Sequence, residues 1–317
     1  MKAVLLVGHG SRDPEGNSQV REFIEELKPR LDPELLVETC FLEFEAPTIG
    51  QGIDACAQKG ASKIVVIPIM LLPAGHSKIH IPAAIDEGKE KYPKIGFTYG
   101  RPIGIHEETI EICLSRLREI GEDPDEAEKD TAIIFLGRGG SDPDANSELY
   151  KIARLFWEKT KYKLVEPAFM GVTGPLVKEG IERCIRLGAQ KIIILPYFLF
   201  TGILIKRLEK LVCDFQSEYQ QQEIKLAGYF GFHPRLQNII EDRIEEALQG
   251  EVKMNCDTCQ YRIMAMEHVE HHHHHDHDHD HGHHHEHDHN HHLEHVEHHH
   301  PKDDHEDNRV PEEVAKV

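Results

Sequence analysis

The sequence predicts an α/β protein of two duplicated, doubly wound parallel-sheet domains, followed by a His-rich tail that is disordered without metal. Three observations carry this. The opening MKAVLLVGHGSRDPEGNS returns as TAIIFLGRGGSDPDANS, so that Gly8, Gly10, Asp13, Pro14, Asn17 and Ser18 fall on Gly137, Gly139, Asp142, Pro143, Asn146 and Ser147. Short β-branched runs without polar interruption alternate with stretches of helical spacing, which is how strands covered on both faces read when helices connect them. Beyond Met266 the chain is mostly His, Asp and Glu, with almost nothing to bury.

Taken in order, the first half offers a strand at Ala3–Val7, a helix over Ser18–Leu27, and a second strand closing in Phe41-Leu-Glu43-Phe-Glu45. A helix over Ile49–Gln58, a third strand at Ile64–Met70 whose end carries Pro73-Ala-Gly75-His76, and a helix over Glu107–Ile120 complete it. The charged GEDPDEAEKD, Gly121–Asp130, reads as the linker. The second half repeats the plan with strands at Ala132–Leu136 and Ile192–Leu199 and helices over Asn146–Thr160 and Ile205–Phe215. ASKIVVIPIML matches AQKIIILPYFL, FLEFEAPTI matches FMGVTGPLV, and Gly104-Ile-His106 meets Gly231-Phe-His233. The domains are therefore placed at residues 1–122 and 130–250, with a Cys-x-x-Cys segment and tail over 251–317.

At 317 residues and 39% apolar content the chain can bury two cores of ordinary domain size. The apolar run at the start is too short for a signal peptide and no later run could span a bilayer, so no membrane partner and a cytoplasmic location are expected. Cys40, Cys56, Cys113, Cys184 and Cys213 are scattered among apolar residues like reduced core thiols. The net charge of −20 is concentrated in residues 267–317, where 15 acidic residues face 3 basic ones. A chain so acidic does not bind nucleic acid, whose affinity rests on a basic face.

In an open α/β sheet the ligand crevice lies beyond the carboxyl ends of the strands, where Gly8-His9-Gly10-Ser11 falls. A dinucleotide loop is excluded, because G-x-G-x-x-G needs glycine where the two copies carry Asp13 and Asp142. Three successive strand ends deliver His9, Glu43 and His76 to one edge. Two imidazoles and a carboxylate can hold a divalent cation or move protons near neutral pH. The second half has Arg138, Gly171 and Leu204 at the matching places, so the duplicated loop is architecture and the imidazole is an addition to one copy.

GHGS-R at the first strand, FLE at the second, P-x-x-L-x-x-G-H at the third, the doubled half and Met254-Asn-Cys256-Asp-Thr-Cys259 before a His-rich tail together resemble the long-form CbiX sirohydrochlorin cobaltochelatases. The resemblance covers the whole chain and implies a class II chelatase-like fold and ATP-independent insertion of Co2+ into sirohydrochlorin on the route to cobalamin. It carries His9 and His76 over as active-site histidines and metal ligands, and Glu43 as the active-site carboxylate. Where the family often reads Asp-Ile-Pro this chain has His80-Ile-Pro82, and His80 is either an extra ligand or a substitute helix cap. A carboxylate-rich substrate needs local cations, and Arg12, Lys78, Arg101, Arg138 and Arg207 are the candidates.

Cys256 and Cys259 are half of a four-ligand site. The resemblance implies an iron–sulfur cluster there, completed by a second subunit as in a homodimer, by neighbouring side chains or from outside the protein. A zinc knuckle closed by tail histidines is the other reading. Residues 268–305 hold 21 histidines, broken throughout by acids and followed by further chain, which reads as a store of divalent metals rather than a purification tag. Three functions remain open: cobalt insertion; the same reaction with Fe2+ or Ni2+; and a non-enzymatic metal-storage or delivery protein whose tail is its function.

Overall fold

The computed structural model describes residues 1–250, the side chain of His76 apart. The first half runs β1 (Lys2–Gly8), α1 (Pro14–Leu27), β2 (Leu36–Phe41), α2 (Ile49–Gln58), β3 (Lys63–Ile69), α3 (Ile81–Lys91), β4 (Gly96–Tyr99) and α4 (Glu107–Glu119). The second repeats it as β5 (Thr131–Gly137), α5 (Pro143–Glu158), β6 (Leu164–Phe169), α6 (Val177–Arg186), β7 (Lys191–Pro196), α7 (Ile203–Glu218), β8 (Glu223–Leu226) and α8 (Pro234–Gln249). Each half forms a four-stranded parallel sheet, in the orders β2-β1-β3-β4 and β6-β5-β7-β8. The chain order reverses direction between β1 and β3, and between β5 and β7, which opens a crevice at their carboxyl ends.

Burial explains the unbroken apolar runs. Val4 and Leu6 of β1 face a central layer of helices α1, α4, α5 and α8 shared by both sheets, while Ala3, Leu5 and Val7 face α2 and α3. In the second half Ile133 and Phe135 share the central core, and Ala132, Ile134 and Leu136 pack under α6 and α7. Both sheets are therefore covered on both faces, as parallel sheets require. Proline is tolerated where a ladder N–H is not needed: Pro167 lies on the edge strand β6, and Pro68 lies beyond Val66, the last residue of β3 that β4 pairs.

Sequence periodicity missed the edge strand β6, the two short edge strands β4 and β8, and the helices α3, α6 and α8. The charged segment read as the linker is tied to the second sheet, with Glu122 accepting from Lys191 and Lys225 and Glu128 from Lys191. Among the described residues, no helix is long and apolar enough to cross a membrane.

A candidate active site on the axis between the halves

The duplicated loops are built alike. Asp13 and Asp142 cap α1 and α5 by accepting from the backbone N–H groups of Glu15 and Asp144, and proline opens each helix. Asn17 folds its loop by accepting from Ser11 N at 2.8 Å and donating to Ser11 O at 2.8 Å; Asn146 does the same to Gly140 at 3.1 and 2.7 Å. Gly10 (φ 87°) and Gly139 (φ 82°) are required twice over, by a left-handed backbone and because a Cβ would stand 1.7 Å from Glu43 O or 2.1 Å from Gly171 O. That close approach is the site's first construction element, since it brings the loop after β2 against the loop after β1. Glu43 N donates to His9 O at 3.1 Å, and Gly171 N donates to Arg138 O at 3.2 Å.

The two halves meet through reciprocal contacts. Lys78 of the first half pairs with Asp142 and Asp144, and its counterpart Lys206 pairs with Asp13 and Glu15. His106 reaches Asp242, and its counterpart His233 reaches Ser115, the counterpart of Asp242. Arg243 donates to Ile103 O and Arg116 to Phe230 O. Contacts in which i meets j and j meets i are the signature of a two-fold axis. Two pairs of equivalent residues touch each other and so lie on it: Glu108 with Arg235, and His9 with Arg138.

His9 is thus placed at the centre of the molecule's pseudosymmetry. Its Nδ1 lies 3.0 Å from Gly10 O and 3.4 Å from Glu43 Oε1, and its Nε2 lies 3.2 Å from Arg138 Nη1. A backbone carbonyl only accepts and a guanidinium only donates. Nδ1 therefore carries the proton, and Nε2 turns its lone pair toward Arg138. Both His9 and Glu43 are about one-third exposed, open to a ligand yet held by neighbours. Beyond Glu43, a cavity of about 280 Å3 is lined by Glu43, His80, Leu42, Thr48, Ile49 and Ala84. It is at the small end of ligand sites, suited to a hydrated ion or one short polar arm.

His76 opens one turn of π-helix, His76–His80, just before α3, a local distortion common at functional sites. Its side chain lies outside the described residues, as do Cys256, Cys259 and the tail histidines. Of the two readings of His80, side-chain capping is not what the structure shows: His80 stands at the start of α3, but its backbone is already helical and its side chain makes no capping bond, and the residue lines the same cavity as Glu43.

The five cationic candidates divide. Arg138 touches His9, and Arg12 lies 4.8 Å over the Phe44 ring at the same rim. Arg207 stands exposed on α7 next to Lys206. Lys78 is held by Asp142 and Asp144, which raise its pKa, as Lys206 lowers that of Asp13. Arg101 is drawn to Glu246 of α8 in a two-pronged pair, with Nη2 at 2.8 Å from Oε1 and Nε at 3.1 Å from Oε2. Neither Lys78 nor Arg101 presents a guanidinium or ammonium without a carboxylate.

Sequence reasoning missed Phe44 and Val172. Both are non-glycine residues in left-handed conformation (φ 60° and 68°), and both are solvent-facing, at 54% and 79% exposure. Large apolar side chains held out in strained backbone mark a contact surface. The signal was available, because they occupy one place in FLEFEAPTI and FMGVTGPLV, the only large apolar residues between the strand end and the following proline-led turn apart from the residue directly after the strand.

CbiX matches residues 3–120 and again 132–247, the two halves. A sirohydrochlorin cobaltochelatase of Priestia megaterium is 67% identical over 86% of this chain and 88% of its own length. A sirohydrochlorin ferrochelatase of the same organism is 37% identical over 79% and 92%. Among solved structures, the sirohydrochlorin chelatase SirB from Bacillus subtilis subspecies spizizenii in complex with cobalt superposes with a TM-score of 0.67 at 32% identity, over 78% of this chain and 96% of that one. The chain belongs to the CbiX family of chelatases.

Proposed function

We propose that this protein is a lyase that inserts Co2+ into sirohydrochlorin without ATP, in cobalamin biosynthesis. The observation that carries the reading is the placement of His9 on the axis, its Nδ1 proton fixed by Gly10 O and Glu43 and its Nε2 lone pair directed at a cation. Fixing the far nitrogen of an imidazole is how proteins orient metal-binding histidines. The 67% identical relative that bears the cobaltochelatase name supports the choice of metal, and the ferrochelatase at 37% shows that the fold alone does not set it.

The chemistry follows from the residues. Metallation requires two pyrrole N–H protons to leave as the cation arrives, and neutral imidazole and carboxylate serve both as loose ligands and as proton acceptors. In this reading His9 and His76 present Co2+, the substrate metal, and Glu43 takes protons, with His80, in the lining of the same small cavity as Glu43, as an additional nitrogen ligand for the ion. Arg12, Arg138 and Arg207 hold the carboxylate arms, and Phe44 and Val172 lie against the macrocycle face. Lys78 and Arg101 act as ties to Asp142, Asp144 and Glu246 and meet the substrate only if those carboxylates release them.

An iron–sulfur cluster would use Cys256 and Cys259. The described cysteines do not complete it: Cys40, Cys56, Cys113 and Cys184 are buried, with burial pushing their thiols up, and a protonated buried thiol is a poor ligand, while Cys213, exposed on α7, is one thiol where two are needed. The set of this chain therefore fits half a cluster, and no step is assigned to it.

The test is an absorbance assay of purified protein with sirohydrochlorin and Co2+, Fe2+ or Ni2+ in turn. The expected result is catalysed conversion, fastest with Co2+. No acceleration over the uncatalysed reaction with any metal would leave the metal-storage reading in possession.

A further inference from the structure

We infer that Arg138 is a placeholder cation: in the resting protein it occupies the His9 Nε2 lone pair that the metal needs, and it leaves when a substrate carboxylate recruits it. The inference rests on the proposed function only in taking His9 as a metal ligand. Three observations carry it. The first is positional, since Arg138 is the repeat counterpart of His9 and the pseudo-two-fold axis forces the two to face each other. The second is the proton inventory of the ring. Gly10 O and Glu43 Oε1 both lie on the Nδ1 side, so the nitrogen facing Arg138 Nη1 at 3.2 Å is the basic one. One lone pair serves either a guanidinium N–H or a metal ion, not both. The third is the contrast with the neighbouring cations. Lys78, Lys206 and Arg101 are each held by carboxylates, whereas the hydrogen bond of Arg138 among the described residues goes to an imidazole, a weaker hold for a guanidinium than the bidentate carboxylate it is shaped for.

The consequence is an ordering device. A carboxylate-rich macrocycle entering the cleft draws Arg138 into a charge-assisted pair, which bares Nε2 and removes a positive charge from the metal's path. Macrocycle and metal then bind with positive coupling, and by linkage each tightens the other equally. A site without Arg138 loses that coupling and takes metal readily on its own.

The test uses the full-length protein and Co2+ alone, titrated by the visible absorption of the bound ion. Wild type, His9→Ala, Arg138→Met and the double variant form a cycle in which the metal bound by the tail cancels, leaving the His9-dependent part. Arg138→Met should tighten that part roughly three- to tenfold, the range a released hydrogen bond supports. Arg138→Lys, which keeps a donor and a charge, should bind like wild type. Arg138→Ala, from an exposed loop position, repeats the measurement should the methionine variant not fold. An unchanged His9-dependent affinity in Arg138→Met, or equal tightening in Arg138→Lys, would overturn the placeholder. Absence of any His9-dependent binding in either background would overturn it together with the ligand assignment. A protein that shows the coupling yet fails to convert sirohydrochlorin with any metal would instead refute the proposed function.

Discussion

The two halves share a loop skeleton down to individual hydrogen bonds, and they differ in the side chains hung on it. Asn17 and Asn146, Gly10 and Gly139, Asp13 and Asp142 do the same work in each copy. His9 and Glu43 stand opposite Arg138 and Gly171. The skeleton residues are those whose replacement would clash or leave a backbone group unpaired, so both copies need them. His9 and Arg138 meet on the axis, where the first copy carries an imidazole and the second a guanidinium, and beside them the first copy has the carboxylate of Glu43 where the second has only Gly171.

The largest expected effect comes from removing that asymmetry in the first half. His9→Ala or Glu43→Gln should slow Co2+ insertion by about 100-fold or more, the usual worth of a positioned acid–base group. Circular dichroism should be unchanged, because both side chains sit on loops rather than in a core. Near-wild-type turnover in both variants would remove the chemical distinction between the halves.

A second effect concerns a place where the halves agree. His106 and His233 begin α4 and α8 and accept at Nδ1 from the backbone N–H groups of Glu108 and Arg235, each at 3.2 Å. Burial, aided by the charges of Arg243 and Arg116, holds both pKa values below the ordinary imidazole range. The unfolded chain takes up protons near pH 6.5 while the folded rings resist, so the folded state binds fewer protons there. Stability should therefore be full above about pH 6.5 and fall progressively as the pH drops below it. Thermal melts at stepped pH check this, and His106→Asn with His233→Asn, which keep a capping acceptor, should flatten the slope.

A smaller effect tests a flaw in the second copy. Gln19 donates to Tyr229 Oη and accepts from Thr201 N, but at the counterpart, Glu148, the matching partners are Pro73, which has no N–H, and Pro102. One oxygen of Glu148 is buried without a partner, and burial raises its pKa. A raised carboxyl pKa means that the folded state binds the extra proton, so the penalty is present at neutral pH and fades as the pH falls through the raised value. Glu148→Gln should raise the melting temperature at pH 7 by about 2–4 °C, as expected for roughly 1 kcal/mol in a domain of this size, and by less at pH 4. An equal gain at both pH values would point away from charge.

Much of this was legible before any coordinates. The alternation of strand and helix, the repeat, and the meeting of His9 with Glu43 follow from apolar runs too long to be one-sided and from the rule that ligands sit beyond strand ends. What escaped was whatever depends on the halves meeting. Nothing local in the sequence says that Lys78 and Lys206 cross to each other's helix caps, that Arg101 is drawn to Glu246, or that His80 lines a cavity rather than caps a helix. Those outcomes are set by tertiary geometry, and only a pairing of offsets, position with counterpart, could have suggested them.

The smallest effect is expected from the part that belongs to neither half. Truncation after Tyr261 should leave kcat at saturating Co2+ unchanged and lower the rate only when Co2+ is scarce, while most stoichiometric Co2+ binding is lost with the 21 tail histidines. Inactivity of a folded truncated protein at saturating Co2+ would assign the tail to the catalytic machinery.

The central claim is that the chemistry belongs to one copy of a duplicated loop, and exchanging the two residues on the axis tests it most directly. The double variant His9→Arg, Arg138→His keeps one imidazole facing one guanidinium across the axis, as in the native contact, but moves the imidazole to the half where Gly171 replaces Glu43. Measured by sirohydrochlorin absorbance at saturating Co2+, this protein should be folded and slowed as severely as His9→Ala. Insertion within a few fold of wild type would contradict the account, because the two copies would then be interchangeable.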